Sequence, residues 1–293
     1  MGILVAFVVV IMLTAGIYLF GYAARLSTLM QVLFLETIIG LVLIYPLLIW
    51  VDHLSFIQIF TTPHKETWFW LGGAAFFGYV GGNYFSLMNL KAVGEKSNSL
   101  LSPAITVSAI VLSFFVFGKK LLWQQWLGVI IVLSAVVYFL LKSPTTGSFK
   151  IKNTGFISGL MCIICISLTI IFSIKGASSN ITLLHAIWIR LLLALLFITP
   201  VFIFSKKQKL SNRHSLKFYI VIVLGVICQT IIASYLWFYA SFKLGISVFQ
   251  LILATLPLFV YAVETYILKK TALAPLFLIV SLIAAVGICL VVL

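Results

Sequence analysis

Two ionisable side chains, Glu36 and Arg190, stand inside long apolar runs and lie 154 residues apart. A charge at lipid depth is costly, so each is a candidate for function before it is anything else. Arg190 could attract the acid of an anionic or carboxylate-bearing solute. Glu36 could bind a cationic group or a coupling proton. The same two residues could instead form a structural ion pair. His185 and Trp188 are three residues apart and share a helix face. His185 reads either as a proton-sensitive cavity residue or as a hydrogen-bonded packing histidine. Asn83, Tyr84, Tyr235 and Tyr239 could hydrogen-bond a solute in an aromatic cavity, or bond helix to helix. Pro103 and Pro257, also 154 apart, each remove a backbone donor and can kink a helix, as a hinge or as a static bend.

Other chemistries lack their residues. The acids Glu36, Asp52, Glu66, Glu95 and Glu264 are scattered singly, which does not make an acid–base or metal cluster. Cys162 and Cys165 sit in an apolar run with no second pair, so they read as packing residues and no metal site is expected. No phosphate-binding loop of the G-x-x-x-x-G-K-[ST] type occurs, so the chain encodes no nucleotide drive and no cofactor.

The elements that must hold these residues follow from composition. Of the 293 residues, 63% are hydrophobic and 8% charged. A soluble domain has about 25% charged residues. So few charges cannot make a water-facing surface, and the main solvent must be lipid. Apolar runs of spanning length, about 20 residues, fall at roughly 2–22, 29–50, 67–90, 98–117, 121–141, 154–174, 182–204, 218–240, 247–268 and 274–293. Ten spans leave no room for a soluble domain. The net charge of +14 is then a matter of sidedness rather than of nucleic acid, which is not expected as a partner. Loops after odd spans carry 13 basic residues and the others 5, with Arg190 inside a span. That bias puts the odd loops in the cytoplasm and both termini outside. Much of it comes from 206–217, a segment suited to lipid phosphate.

Four prolines pair at one spacing, Pro46 with Pro200 and Pro103 with Pro257, and Thr28-Leu29 meets Thr182-Leu183 at the same offset. Gln31 meets His185 likewise. The chain therefore reads as two halves, 1–148 and 149–293. Five spans per half make the second half enter from the opposite face. The expected fold is an all-α integral membrane protein of ten transmembrane helices in two inverted five-helix repeats, an architecture typical of secondary transporters.

On these features the chain resembles the drug/metabolite transporter superfamily, in particular its EamA-domain group. The resemblance rests on a short turn at Gly94 or Gly245, a span carrying Pro103 or Pro257, a basic turn and a final span. Where many members read Gly-Glu after the proline-bearing span, this chain reads Gly118-Lys119-Lys120 and Leu268-Lys269-Lys270. Where members often carry Arg in span 2, it has Glu36, and the Arg stands in the second copy. The resemblance implies cytoplasmic termini, against the charge bias.

The leading expectation is a secondary transporter of a small metabolite, amino-acid-like or another small polar solute, working by alternating access in a bacterial plasma membrane. Membrane lipid and a small-molecule substrate are its partners. Proton coupling, exchange and the substrate gradient alone stay open, as do monomer and homodimer. Efflux of hydrophobic cations is the alternative within transport. An integral-membrane enzyme is the alternative outside it.

Overall fold

A computed structural model describes residues 2–117, 122–142, 152–177, 181–204, 215–269 and 275–292. The turn Gly118-Lys119-Lys120 and most of the basic segment 206–217 lie outside the described residues. Among the described residues there are helices and no strands.

The helices are α1 (Gly2–Leu26), α2 (Leu29–Val51), a short α3 (Phe56–Thr61), α4 (Lys65–Ala75), α5 (Tyr84–Ser99), α6 (Leu101–Phe117) and α7 (Trp123–Lys142). They continue with α8 (Lys152–Ala177), α9 (Leu183–Phe204), α10 (Leu216–Gly225), α11 (Ser234–Leu244), α12 (Ile246–Leu253), α13 (Leu256–Ala262) and α14 (Pro275–Val292). Among the described residues five helices are long and apolar enough to cross a membrane: those at Gly2–Leu26, Leu29–Val51, Thr154–Ala177, Leu183–Phe204 and Leu216–Leu244. Shorter apolar helices include Leu101–Leu112, Trp123–Ala135, Leu256–Ile267 and Leu278–Gly287. Large apolar side chains such as Trp50, Phe69, Ile203 and Phe204 are exposed on the outside. In water that would be an aggregating surface; against acyl chains it is the expected one.

Several hydroxyls are satisfied locally, within their own helix. Thr14, Thr37, Ser167, Thr169 and Thr199 each donate to the carbonyl four residues earlier. Helix starts are capped in the same economical way. Thr28 accepts from the Gln31 amide at the start of α2, and Thr182 accepts from the His185 amide at the start of α9. These threonines are the offset pair of the sequence, so a repeated residue performs a repeated capping role.

Several local irregularities recur at a near-constant distance. α4 passes into α5 through a π-helical stretch, Phe76–Asn83, and α10 passes into α11 through another, Val226–Ala233. Gly94 breaks α5 at φ 84°, and Gly245 separates α11 from α12 at φ 77°. Only glycine takes such a backbone without strain. Soon after each break a new helix begins, and the proline lies in its first turn: Pro103 in α6 and Pro257 in α13. A missing N–H matters little there. The prolines inside helices are Pro46 and Pro200.

Helices early in the chain pack reciprocally against helices late in it. α2 lies along α9 and α7 along α14. α1 packs on α10, the second π-helical stretch and α11, while α8 packs on α4, the first π-helical stretch and α5. The close α8 contact depends on two glycines four residues apart: a Cβ at Gly78 would stand 3.0 Å from Thr169, and one at Gly82 would stand 2.6 Å from Ile166.

Candidate functional site

Between these reciprocal contacts lies a cavity of about 250 Å³. Its walls come from α1, α2, α5, α6, α8, α9, α11, α12, α13 and both eight-residue π-helical stretches, so helices from early and late in the chain contribute. It is below the roughly 300–1,000 Å³ of drug-sized pockets, a size for a small solute.

Glu36 is buried in the wall on α2. One carboxylate oxygen accepts from the Thr230 hydroxyl at 2.9 Å and from the Asn83 side-chain amide at 3.4 Å. Both donors sit on the π-helical stretches, one in each half. A buried carboxylate needs such partners, and Glu36 has them.

Arg190, on α9, lines the same cavity under different conditions. Its guanidinium lies 5.8 Å from the Tyr79 ring centre and 5.7 Å from that of Phe238. Ring faces attract a cation but accept no conventional hydrogen bond. The Arg190 Nε is buried with no hydrogen-bond partner, and no ion pair joins Arg190 to Glu36. The cation is thus held by aromatic faces, and its hydrogen-bonding capacity is left for something else.

A further polar group lines the cavity where α5, α6 and α12 meet. Thr106 donates to the Gln250 side-chain oxygen at 3.1 Å, and Asn98 donates to Ser86 at 3.5 Å. Ser102 donates to the Leu253 carbonyl at 3.2 Å. Leu253 is four residues before Pro257, so its carbonyl is the one that the proline cannot satisfy.

The other candidates stand elsewhere. His185 is buried, and its Nε2 bonds the Ile59 carbonyl of α3 at 2.8 Å. Trp188 packs edge-on against Phe60 of the same short helix, with ring centres 5.5 Å apart. Tyr84 packs on the main core cluster beside Phe85. Tyr235 is exposed and Tyr239 partly buried. None of these five lines the cavity. Asn83 does, together with Glu36 and Arg190. Reasoning from sequence missed Tyr79, Thr230, Asn98 and Gln250. A signal existed: Tyr79 and Thr230 are 151 residues apart, as are Tyr84 and Tyr235. Asn98 and Gln250 each follow a glycine break by about one turn. Cys162 also lines the cavity, and among the described residues no His, Cys, Asp and Glu group could hold a metal ion.

An all-helical, multi-pass membrane protein with a polar cavity inside is built as a transporter is built. Residues 1–141, just under half of the chain, match the model of the EamA-like transporter family of the drug/metabolite transporter superfamily. No curated protein matches the chain. Twenty-four chains of solved structures do match it. In one crystal structure the matched protein is 16% identical, with 99% of this chain and 95% of that one covered and a TM-score of 0.68. At that identity the likeness speaks for the fold alone.

Proposed function

We propose that the protein is a secondary transporter of a small acid-bearing metabolite, amino-acid-like in class, and that it works by alternating access. Ten spans in two inverted five-helix halves, 1–148 and 149–293, form the frame of this reading. Its support is the recurrence of the π-helical stretches and glycine breaks at offsets of 150 and 151 residues, with the reciprocal packing of the halves. A cavity at the interface of such halves is where transporters of this architecture bind their cargo.

The single observation that carries the cargo class is the Arg190 guanidinium, which reaches the cavity with a buried Nε unpartnered while the one nearby carboxylate is already bonded by Thr230 and Asn83. A carboxylate on the solute would complete the guanidinium with charge-assisted hydrogen bonds, the strongest such group can make. Glu36 is then placed to meet the ammonium of a zwitterion or to take a proton. Pro103 and Pro257 stand at the starts of helices that cross near the cavity, positions where a rigid helix can swing on the glycine break before it.

A thermal-shift panel on purified protein tests the cargo class, followed by uptake into liposomes. Acids and zwitterions are expected to stabilise the protein and to be taken up. Stabilisation by hydrophobic amines alone would instead favour cation efflux, with Glu36 as the cation's partner.

A further inference from the structure

We infer that Asn98 and Gln250 form a second polar subsite in the cavity, which takes a neutral carboxamide-type group on the solute whose acid meets Arg190. This rests on the acid-bearing cargo proposed above and adds what stands at the cargo's other end.

Both side chains are more than nine-tenths buried, with exposures of 7% and 1%, and both line the cavity. Each amide is fixed by one atom and idle at the other. Asn98 bonds Ser86 through its nitrogen, and its Oδ1 has no partner. Gln250 accepts from Thr106 through its oxygen, and its Nε2 has no partner. A buried polar atom left unpaired costs more than a typical hydrogen bond gains. Two such atoms on residues that line one cavity, one an acceptor and one a donor, call for a group that donates and accepts together. A primary carboxamide does both. Turning either amide over exchanges its donor and acceptor, and a carboxamide pairs with either arrangement.

The group should be neutral. Glu36 and Arg190 are the charged residues of the lining, and they belong to the acid end. A second charge placed at Asn98 and Gln250 would be buried without a counter-ion, which is strongly unfavourable. The span of the solute follows from one helix. Asn83, which bonds Glu36, and Ser86, which bonds Asn98, are three residues apart. That is about one turn, roughly 5 Å along the axis. A short chain therefore joins the two ends.

The subsite also has a reason to be where it is. Asn98 follows Gly94 by four residues, and Gln250 follows Gly245 by five. The positive-φ breaks redirect each half's chain, and the first turn after each break delivers one amide to the cavity.

Calorimetric binding to the purified full-length protein tests this with glutamine, leucine and glutamate, which share the amino-acid head and differ in the far group. Glutamine is expected to bind roughly tenfold or more tightly than either, since a site built to hydrogen-bond rejects analogues that cannot. Gln250→Met and the milder Asn98→Ser should bring glutamine to within about twofold of leucine. Arg190→Gln should weaken glutamine and leucine alike. Thermal unfolding confirms that each variant is folded, and the two amide variants serve as independent tests. An unchanged glutamine preference in whichever variant folds overturns the subsite, as does a wild-type protein that binds the three equally. If none of these acids binds the wild-type protein, the role of Arg190 falls and the subsite falls with it.

Discussion

Glu36 on α2 and Arg190 on α9 stand 154 residues apart and line one cavity, and their surroundings treat them in opposite ways. Glu36 is buried and bonded by a donor from each of the two eight-residue π-helical stretches. Arg190 lies against two aromatic rings, with no hydrogen-bond or ion-pair partner for its buried Nε. A satisfied charge supports the fold; an unsatisfied one in a cavity is a binding capacity not yet used. Under the proposed function, this difference gives Glu36 a mainly stabilising role and Arg190 the role of recognition.

The comparison is broken most sharply at Arg190. Arg190→Gln should weaken binding of an acid-bearing solute by about a hundredfold, the scale of about 2–5 kcal/mol lost when one partner of a buried charge pair is removed. The thermal midpoint without solute should stay level or rise, because no partner is orphaned. A lower midpoint with unchanged affinity would make Arg190 a structural residue. Glu36→Leu should show the converse: Thr230 and Asn83 lose their acceptor, at about 1–3 kcal/mol of stability, read by chemical denaturation. Glu36→Gln keeps an acceptor oxygen and should cost less. It should flatten the pH dependence of uptake if Glu36 carries the coupling proton, and an unchanged profile removes that role. Thr230→Val deletes one interhelical bond to Glu36 and should cost about 0.6–1.7 kcal/mol. The smallest effect is expected at His185→Gln, where an amide can still donate to the Ile59 carbonyl: stability falls slightly and transport stays as it was.

Some of this was legible in sequence because it depends on spacing alone. Thr28 and Thr182 share an offset and do the same capping work. Glu36 and Arg190 share it too and line the same cavity. Asn83, Tyr84, Tyr235 and Tyr239 stand out in sequence as polar side chains within apolar runs, and that does not say which face each presents. Each π-helical stretch turns the helix more slowly than the 3.6-residue period, so residues after it face elsewhere than a regular helix would send them. Tyr84 and Tyr235 come one and two residues after the two stretches, and neither lines the cavity. Asn83 ends a stretch and does. His185 and Trp188 were hard to place because their partners, Ile59 and Phe60, lie on α3, a one-and-a-half-turn helix too short to show in an apolar profile. Pro103 and Pro257 were expected to kink continuous helices. They lie instead in first turns, since Gly94 and Gly245 have already broken the chain.

The most direct test sets one amino acid against the amine left when its carboxylate is removed, by equilibrium binding to wild-type protein and to Arg190→Gln. Wild type should prefer the acid by roughly tenfold or more, and the variant should show almost no preference, as expected if the guanidinium's charge-assisted hydrogen bonds supply the discrimination. A wild-type protein that binds the amine as tightly as the acid, or a variant that keeps the full preference, would contradict the assignment of Arg190 as the residue that reads the cargo's acid.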